Sequence, residues 1–359
     1  MKFVFDCRYT RIGRHDGISR YTAGIVEAFS RLHPVTMLIS DKRQLDMLPD
    51  LPWIMGTDPT SVREPWIARI VNRAHPDVVF SPMQTMGSLG RRYKLILTLH
   101  DLIYYNNPTP PRDLSWLIRL VWRLFHLAYW PQRVILNRAD AVVTGTEAAK
   151  AQIQEKRLTR RSITVVSSAV VSSAVEPMAR LRSSERDKTL VYMGSFMPYK
   201  NVESIAAALH ELPGYRLQLL SRISESDRAR YSAIAPEGAI EFFDGVTDNE
   251  YTSLLERATA LVTASFEEGF GIPLIEALSM GTPVACTDIP VFHEVAGEGA
   301  VYFDPRDPSD IARSIRSLAD GGLWERLSAA APAQAAKFTW DRSAARLLAL
   351  AQSLAPDVS

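Results

Sequence analysis

Short apolar runs alternate with amphipathic stretches along the first half of the chain. Five of these runs predict buried strands, at residues 3–5, 35–39, 77–80, 95–99 and 141–144. Between the first two, residues 19–32 show the spacing of an amphipathic helix. Strands that alternate with helices pair in parallel, so this half predicts a doubly wound α/β sheet.

The pattern stops once and then starts again. Residues 172–188 are polar and contain Pro177, as is typical of a linker. After it, strands are predicted at residues 189–193, 216–220, 240–243, 260–263 and 283–286, and an Ala- and Leu-rich helix at residues 340–354. We therefore expect two Rossmann-like α/β domains, residues 1–180 and 181–339, with the C-terminal helix in residues 340–359 packing back on the first. Ligands of such sheets bind at the carboxyl ends of the strands, which predicts a cleft between the domains.

The composition excludes several classes of protein. The chain has 359 residues and only two cysteines, Cys7 and Cys286, which excludes a disulfide framework and a Cys-rich zinc site. No apolar run reaches the ~18 residues of a membrane span. Asp6 follows the initial Met1 too closely for a secretory signal, so we expect a cytoplasmic protein.

The net charge of +1 hides an asymmetry. Residues 1–185 contain 26 Lys and Arg against 16 Asp and Glu, whereas the remainder contains 15 against 24. A basic half predicts an anionic partner, such as a membrane surface or a phosphorylated ligand; chance scatter over loops is the alternative. The aromatic residues of this half have helical spacing, which argues against a stacking platform for nucleic acid.

One predicted helix of the basic half combines basic residues with many apolar and aromatic ones. Residues 116–130 run from Trp116 to Trp130, and Arg119, Arg123 and His126 form a polar stripe on it. Such a helix could lie at the interface of an anionic membrane, on the inner face, or be buried against the first sheet, and the sequence leaves both interpretations open.

The strongest chemical signal is the segment 265–278. It follows a predicted strand, turns through Gly269 and Gly271, and opens a helix at Pro273. The first N–H groups of a helix and the positive end of its dipole favour an anion or a hydroxyl there. Glu268 lies on the loop and Glu276 inside the helix, and each carboxylate can accept two hydroxyl hydrogen bonds from a sugar.

Three further segments suggest contacts with a phosphorylated ligand. Lys200 follows a strand and the glycine turn at residues 194–195, where a mobile point charge suits a diphosphate. Gly17 opens a helix after the first strand, but its loop is not the G-x-G-x-x-G of dinucleotide enzymes. His100 ends a strand and could meet a sugar or an acceptor hydroxyl.

The segment E-G-F-G-I-P-L-I-E-A-L, followed by Gly281-Thr282-Pro283-Val284, resembles the signature of retaining family-4 glycosyltransferases with the GT-B fold. The resemblance implies that Glu268 contacts the donor sugar, Glu276 holds the ribose, and His100 lies near the sugar's primary hydroxyl. It also implies that backbone N–H groups of Phe270, Gly271 and Ile272 face the sugar or the diphosphate. The family usually has arginine where this chain has Ser195, and Arg222, which follows a predicted strand, is a candidate to replace that cation. We also expect the loop that contains Val246 to face the base of the nucleotide.

The residues 17–21, Gly-Ile-Ser-Arg-Tyr, resemble the glycine loop of mannosyltransferase-like members of that family. We therefore expect a retaining hexosyltransferase, with GDP-mannose favoured over a UDP-sugar as co-substrate and no other cofactor. The acceptor is expected to be a lipid-linked or other glycan. Because the chain has no Asp-x-Asp, we predict a metal-independent reaction in which Lys200, Gly17 and the N–H groups near Gly271 stabilise the leaving diphosphate. A nucleotide-sugar epimerase of the same architecture and a non-catalytic nucleotide-sugar-binding protein are the alternatives.

Overall fold

The computed structural model describes residues 1–13, 15–110, 116–170 and 188–355. The chain divides into two compact units, the first formed by Met1–Val171 and Thr339–Ser359 and the second by Ser172–Phe338. The predicted linker lies outside the described residues except for Lys188, and so does the predicted boundary at 180/181.

The first unit contains a seven-stranded parallel sheet with the order β3-β2-β1-β4-β5-β6-β7. Phe3 in β1 pairs with Val35 in β2 on one side and with Val78 in β4 on the other, so β1 is an interior, buried strand of the sheet. The strands are β1 (Phe3–Asp6), β2 (Val35–Ile39), β3 (Trp53–Met55), β4 (Val78–Ser81), β5 (Lys94–Thr98), β6 (Ala141–Thr144) and β7 (Ile163–Val165). The helices are α1 (Gly17–Leu32), α2 (Ala68–Val71), α3 (Ile103–Asn106), α4 (Trp116–His126), α5 (Trp130–Arg138) and α6 (Glu147–Glu155).

Helix α1 begins where the sequence provides a cap. The Asp16 side chain accepts a hydrogen bond from the Ser19 N–H, at 2.9 Å, which satisfies one of the free donors of the first turn. Tyr21, Ile25 and Phe29 follow at helical spacing and are buried against the sheet. The helix therefore starts at the carboxyl end of β1 and fixes the loop between them.

The second unit contains a six-stranded parallel sheet with the order β10-β9-β8-β11-β12-β13. Its strands are β8 (Thr189–Tyr192), β9 (Arg216–Leu219), β10 (Ile240–Phe242), β11 (Ala260–Thr263), β12 (Val284–Thr287) and β13 (Ala300–Phe303). Its helices are α7 (Val202–Ala208), α8 (Glu225–Ile234), α9 (Asp248–Arg257), α10 (Ile272–Ser279), α11 (Pro290–Ala296), α12 (Pro308–Ser317) and α13 (Leu323–Ala335).

The last helix, α14 (Trp340–Leu354), packs against α1 in the first unit. Gly24 makes the contact possible, because a Cβ atom at this position would overlap the indole ring of Trp340. The Ser343 hydroxyl also donates to the Ser167 carbonyl, at 2.8 Å. Buried Leu347 and Ala351 continue the contact along the helix.

The predicted fold class is confirmed, since each unit has the alternating strands and helices of a doubly wound parallel sheet. All ten strands predicted from apolar runs are present, with ends that differ by at most one residue. The apolar runs missed β3 and β7, two strands of three residues at the edges of the first sheet, and β13, at one edge of the second.

Candidate functional site

Lys200 and Glu268 meet at the carboxyl ends of β8 and β11, which are neighbours in the second sheet. The Lys200 ammonium forms an ion pair with Glu268 Oε1, and the two side chains are only 15% and 14% exposed. The Ser265 hydroxyl donates to the same oxygen, at 2.9 Å. Among the described residues no group contacts Glu268 Oε2, so this oxygen is available to a hydroxyl of a ligand.

The loops that carry this ion pair are tied to each other. The Phe266 N–H donates to the Tyr199 carbonyl at 2.8 Å, which joins the loop after β11 to the turn before Lys200. Asn201 has a left-handed backbone with φ of 51°, and its side-chain amide donates to the Pro305 carbonyl at 2.7 Å. These bonds fix the positions of Lys200 and Glu268 through the protein's own backbone and side chains.

The start of α10 presents unused donors beside this pair. Gly271 is left-handed, with φ of 93°, and a Cβ there would approach Leu274 and Phe292 to 3.2 Å. Within the described parts of the chain, the N–H groups of Phe270, Gly271 and Ile272 donate to no other group. Free N–H groups at a helix start attract negative charge, so this turn can bind an oxyanion.

Glu276 lies one turn inside the same helix and is half-buried between Ile275 and Ala277, which are fully buried. The structure thus places Glu268 before the first turn of α10 and Glu276 just after it. Two carboxylates near one helix start can contact different parts of one extended ligand.

Ser195, Arg222 and Val246 follow the carboxyl ends of three adjacent strands, β8, β9 and β10. The Ser195 carbonyl accepts from the Tyr192 hydroxyl at 2.6 Å, which fixes the turn after β8. Arg222 is exposed, forms no ion pair with any described residue, and lies against Gly245, whose φ is 108°. The neighbouring Ser221 hydroxyl accepts from the Gly194 N–H at 3.1 Å, so Arg222 directly follows a residue that contacts the turn carrying Ser195.

His100 follows β5 in the first unit and is held in one tautomer. Its Nε2 atom lies 2.8 Å from the Pro82 carbonyl, and since a carbonyl only accepts, Nε2 carries the proton. Burial lowers the pKa of His100 despite the opposing effect of the Pro82 carbonyl. The imidazole is neutral at pH 7, and Nδ1 is a hydrogen-bond acceptor.

The support behind His100 was not predicted from the sequence. The Tyr21 ring packs edge-on against the imidazole at 5.2 Å, and Trp340 packs against Tyr21 at 6.0 Å. The Tyr21 hydroxyl donates to the Val166 carbonyl at 3.3 Å. His100 is thus positioned by residues from α1 and α14, which are far apart in the sequence.

A buried cluster of charges at the end of β1 was also missed. Arg8 donates to Asp6 at 2.8 and 3.1 Å and to Glu64 at 2.6 and 2.9 Å. The Ser81 hydroxyl donates to Asp6 at 3.0 Å, and the Gly87 N–H donates to Glu64 at 3.0 Å. Burial lowers the pKa of Arg8, but the two carboxylates outweigh this effect and raise it. The sequence signal was a charged residue on each side of Cys7 directly after a buried strand.

Helix α4 turns apolar side chains outward. Trp116 is 77% exposed, and Leu120, Val121 and Leu124 are also exposed, as are Leu127 and Trp130 after the helix. The opposite face carries Trp122 and His126, which contact Tyr104. The interpretation of this segment as a helix buried against the sheet is therefore wrong. Within the described residues, no helix combines the length and apolar character needed to cross a bilayer.

Two family models together match most of the chain. Residues 15–173 match the model described as Glycosyltransferase Family 4, and residues 176–335 match the model described as Glycosyl transferases group 1. The O-antigen chain mannosyltransferase B of Escherichia coli is 26% identical over 269 residues, which are 70% of this chain and 68% of that protein. The O-antigen chain mannosyltransferase RfbU of Salmonella typhimurium is 31% identical over 153 residues, 42% of this chain and 43% of that protein.

Solved structures with the same architecture align over nearly the whole chain. Sucrose-phosphate synthase from Thermosynechococcus elongatus has a TM-score of 0.74 at 18% identity and covers 99% of both chains. Anabaena HepE in complex with UDP-glucose has a TM-score of 0.71 at 17% identity, over 98% of this chain and 100% of that one. At such identities the likeness shows the fold alone, which is GT-B. Together with the two family models, it shows that the chain belongs to the family-4 glycosyltransferases of the GT-B fold, with mannosyltransferases among its relatives.

Proposed function

We propose that the protein transfers a hexose from a nucleotide-sugar donor to a glycan or lipid-linked acceptor, with retention of anomeric configuration. The observation that carries this proposal is the ion pair of Lys200 with Glu268 beside the free N–H groups that open α10. The relatives' names, O-antigen chain mannosyltransferases, support mannose as the sugar and a glycan as the acceptor. GDP-mannose is the donor we favour over a UDP-sugar.

The residues of the second unit fit the needs of such a donor. Glu268 Oε2 accepts a hydrogen bond from a sugar hydroxyl, and Glu276 accepts from the ribose. Lys200 and the N–H groups of residues 270–272 balance the two negative charges of the diphosphate. Val246 contacts the base, and the exposed Arg222 supplies the cation that Ser195 does not.

The proposed reaction breaks the bond between the anomeric carbon and the phosphate oxygen. The acceptor hydroxyl attacks the anomeric carbon from the side that the diphosphate leaves, and its proton passes to the departing phosphate oxygen. Charge therefore grows on the diphosphate, where fixed cations and N–H dipoles stabilise it without a required metal. His100 accepts a hydrogen bond from the sugar at Nδ1, because its Nε2 proton is used by Pro82.

We also propose that α4 attaches the protein to the inner face of an anionic membrane. Its exposed apolar side chains suit the boundary of headgroups and acyl chains, and Arg123 lies beside them. Cosedimentation with vesicles that contain about a third phosphatidylglycerol tests this contact. Leu124→Glu should abolish binding, whereas Leu32→Glu, an exposed leucine at the end of α1, should not; equal binding by both variants contradicts the proposal.

Turnover of radiolabelled GDP- and UDP-sugars with a membrane extract tests the activity. We expect sugar transfer by the parent, with NMR of the product showing the donor's anomeric configuration, and almost none by Glu268→Gln. An epimerase would convert the donor alone into a new sugar nucleotide, and a binding protein would bind the donor without releasing diphosphate. Either result, or an inverted product, would overturn the proposal.

A further inference from the structure

The turn before α10 contains little that would hold it in one shape. Phe270 is the only side chain between Gly269 and Gly271. Glycine adopts positive and negative φ with similar ease, so these two residues do not by themselves fix where the neighbouring N–H groups point. The φ of 93° at Gly271 is one of several conformations that are open to a glycine. The contacts of the Phe270 ring therefore have a large part in fixing the turn.

The Phe270 ring packs on Phe338, which is 68 residues further along the chain. The two rings meet edge to face, with their centroids 5.3 Å apart and their planes at 90°. Phe270 is 9% exposed, and Phe338 is half-buried. Aromatic pairs favour this angle because the positive edge of one ring meets the negative face of the other. The contact therefore restrains the direction of the Phe270 ring as well as its distance.

Phe338 is itself held in place. It is the last residue of the second unit and follows the end of α13. Its N–H donates to the Ala335 carbonyl at 3.0 Å. One turn earlier, the side-chain amide of Gln334 donates to the carbonyls of Glu294 and Val295, at 3.0 and 3.1 Å. These bonds tie the end of α13, and with it Phe338, to α11.

Helix α11 also supports the other side of the turn. Phe292 in α11 is fully buried, and its ring would lie 3.2 Å from a Cβ atom at Gly271. Gly297 follows α11 and leaves room for Gln334, because a Cβ there would overlap the amide of that side chain. Two rings that belong to connected elements thus flank the turn, Phe338 at Phe270 and Phe292 at Gly271.

We propose that Phe338 is a positioning residue for sugar transfer. Its ring holds Phe270, and thereby residues 269–271, in the shape in which the N–H groups of residues 270–272 converge on the diphosphate of the donor. The role in transfer rests on the proposed function, whereas the restraint on the turn rests on the contacts alone. Because negative charge grows on the diphosphate during transfer, displaced N–H groups cost most in the transition state.

Selective labelling for NMR tests the restraint without any ligand. The dipeptide Phe-Gly occurs once in the chain, so ¹³C-carbonyl Phe combined with ¹⁵N-Gly selects the N–H group of Gly271 alone. This signal should shift or broaden in Phe338→Leu and stay in place in Phe338→Tyr, which keeps the ring. Tyr215→Leu is the matched control, since Tyr215 is a half-buried aromatic residue directly before β9, at the opposite end of the same sheet. An unchanged signal in Phe338→Leu, or an equal shift in Tyr215→Leu, would overturn the proposal.

Kinetics with the GDP- or UDP-sugar that the parent uses tests the role in transfer. We expect kcat to fall about 10- to 100-fold in Phe338→Leu, with a much smaller change in the donor KM, and to recover in Phe338→Tyr. A parent that transfers no sugar refutes the proposed function and with it any role of Phe338 in transfer, and the NMR signal still decides whether the ring holds the turn. A parent that transfers sugar, with an unchanged kcat in Phe338→Leu, refutes the role of Phe338 alone.

A double variant keeps the test decisive if Phe338→Leu folds poorly. Phe270→Leu removes the same contact from the other side and should lower kcat by a similar factor. Because one contact can be lost only once, the variant with both substitutions should be no slower than the slower single variant. Effects that multiply in the double variant would show that the two rings act separately, and this result would contradict the proposal.

Discussion

Replacing Arg8 by methionine removes the cation from a cluster in which two carboxylates are already buried. The guanidinium makes paired hydrogen bonds to both Asp6 and Glu64 and a further one to the Thr57 carbonyl, at 3.0 Å. The side chains of Arg8 and Asp6 are fully buried, and that of Glu64 is 10% exposed. Methionine fills a similar volume but leaves two buried carboxylates without a cation, with only neutral hydrogen-bond donors such as the Ser81 hydroxyl and the Gly87 N–H.

The expected loss follows from that geometry. Removing one member of a buried ion pair costs about 3–5 kcal/mol, because the remaining charge stays buried and unpaired. For a unit of this size each kcal/mol lowers the melting temperature by about 2–4 °C, so we expect a decrease of about 6–20 °C. The melting temperature of Arg8→Lys should lie between those of the parent and Arg8→Met, because an ammonium keeps the charge but cannot form two bidentate contacts.

Urea unfolding followed by tryptophan fluorescence is the appropriate assay, since six of the seven tryptophans belong to the first unit. Arg31→Met is the matched control: Arg31 pairs with Asp341 at 2.6 Å, but both side chains are more than half exposed. Exposed pairs contribute about 0–1 kcal/mol. If Arg8→Met costs no more than Arg31→Met, or if adding Asp6→Asn and Glu64→Gln to Arg8→Met restores no stability, the account of this cluster is wrong.

Three other predictions follow from the same contacts. Lys200→Met should lower release of the nucleoside diphosphate about 100- to 1,000-fold, measured by a coupled phosphatase assay, because the charge on the leaving group loses its cation. Gly24→Ala should destabilise the first unit by about 1–3 kcal/mol in urea, because the new methyl group overlaps Trp340; in a Trp340→Ala background the same change should be neutral or stabilising. Donor turnover should be constant at neutral pH and fall in acidic buffer, as Nδ1 of His100 takes up a proton. Because burial lowers the pKa of His100, the fall should come at a lower pH than for an ordinary histidine, and it should be absent in His100→Gln.

The strands of the central sheet could be predicted because each is a short apolar run, buried on both faces. Val78 and Val79 in β4, for example, are both fully buried. The strand therefore reads as a continuous apolar run, which is easy to recognise in the sequence. Strands β3 and β7 lie at the sheet edges and have three residues each; Trp53 and Met55 in β3 are even partly exposed. Edge strands this short leave too little pattern to distinguish them from loops.

The part of the candidate site that is formed by consecutive residues could be predicted from the sequence. A glycine turn that opens a helix is written in consecutive residues, and the left-handed φ of Gly271 explains why glycine stands there. The direct pairing of Lys200 with Glu268 joins residues 68 positions apart, and Arg8 with Glu64 joins residues 56 apart. Spacing along the chain carries no information about such contacts, because the order of the strands in the sheet decides them.

The exposed face of α4 likewise depends on contacts that the sequence does not reveal. The sequence gives the helix an apolar face and a stripe of Arg119, Arg123 and His126, but both interpretations of it fit that pattern. The two interpretations differ in which face of the helix the neighbouring residues cover. In the structure, Tyr104 and Tyr105 cover the face that carries His126. The apolar side chains stay exposed because nothing in the described part of the first unit packs on them.

Arg8 and Lys200 differ in how many of their donors are used, and this difference separates a structural cation from one that can still bind a ligand. The planar guanidinium of Arg8 is matched on two sides by carboxylates, so no donor remains for a ligand. Lys200 is a point charge with three N–H donors, and its ion pair uses a single oxygen of Glu268. It can therefore keep that contact while it donates to a phosphate, and Glu268 can keep Lys200 while Oε2 accepts from a sugar. An arginine at position 200 could bind both oxygens of the carboxylate and would then remove the acceptor that we propose for the sugar.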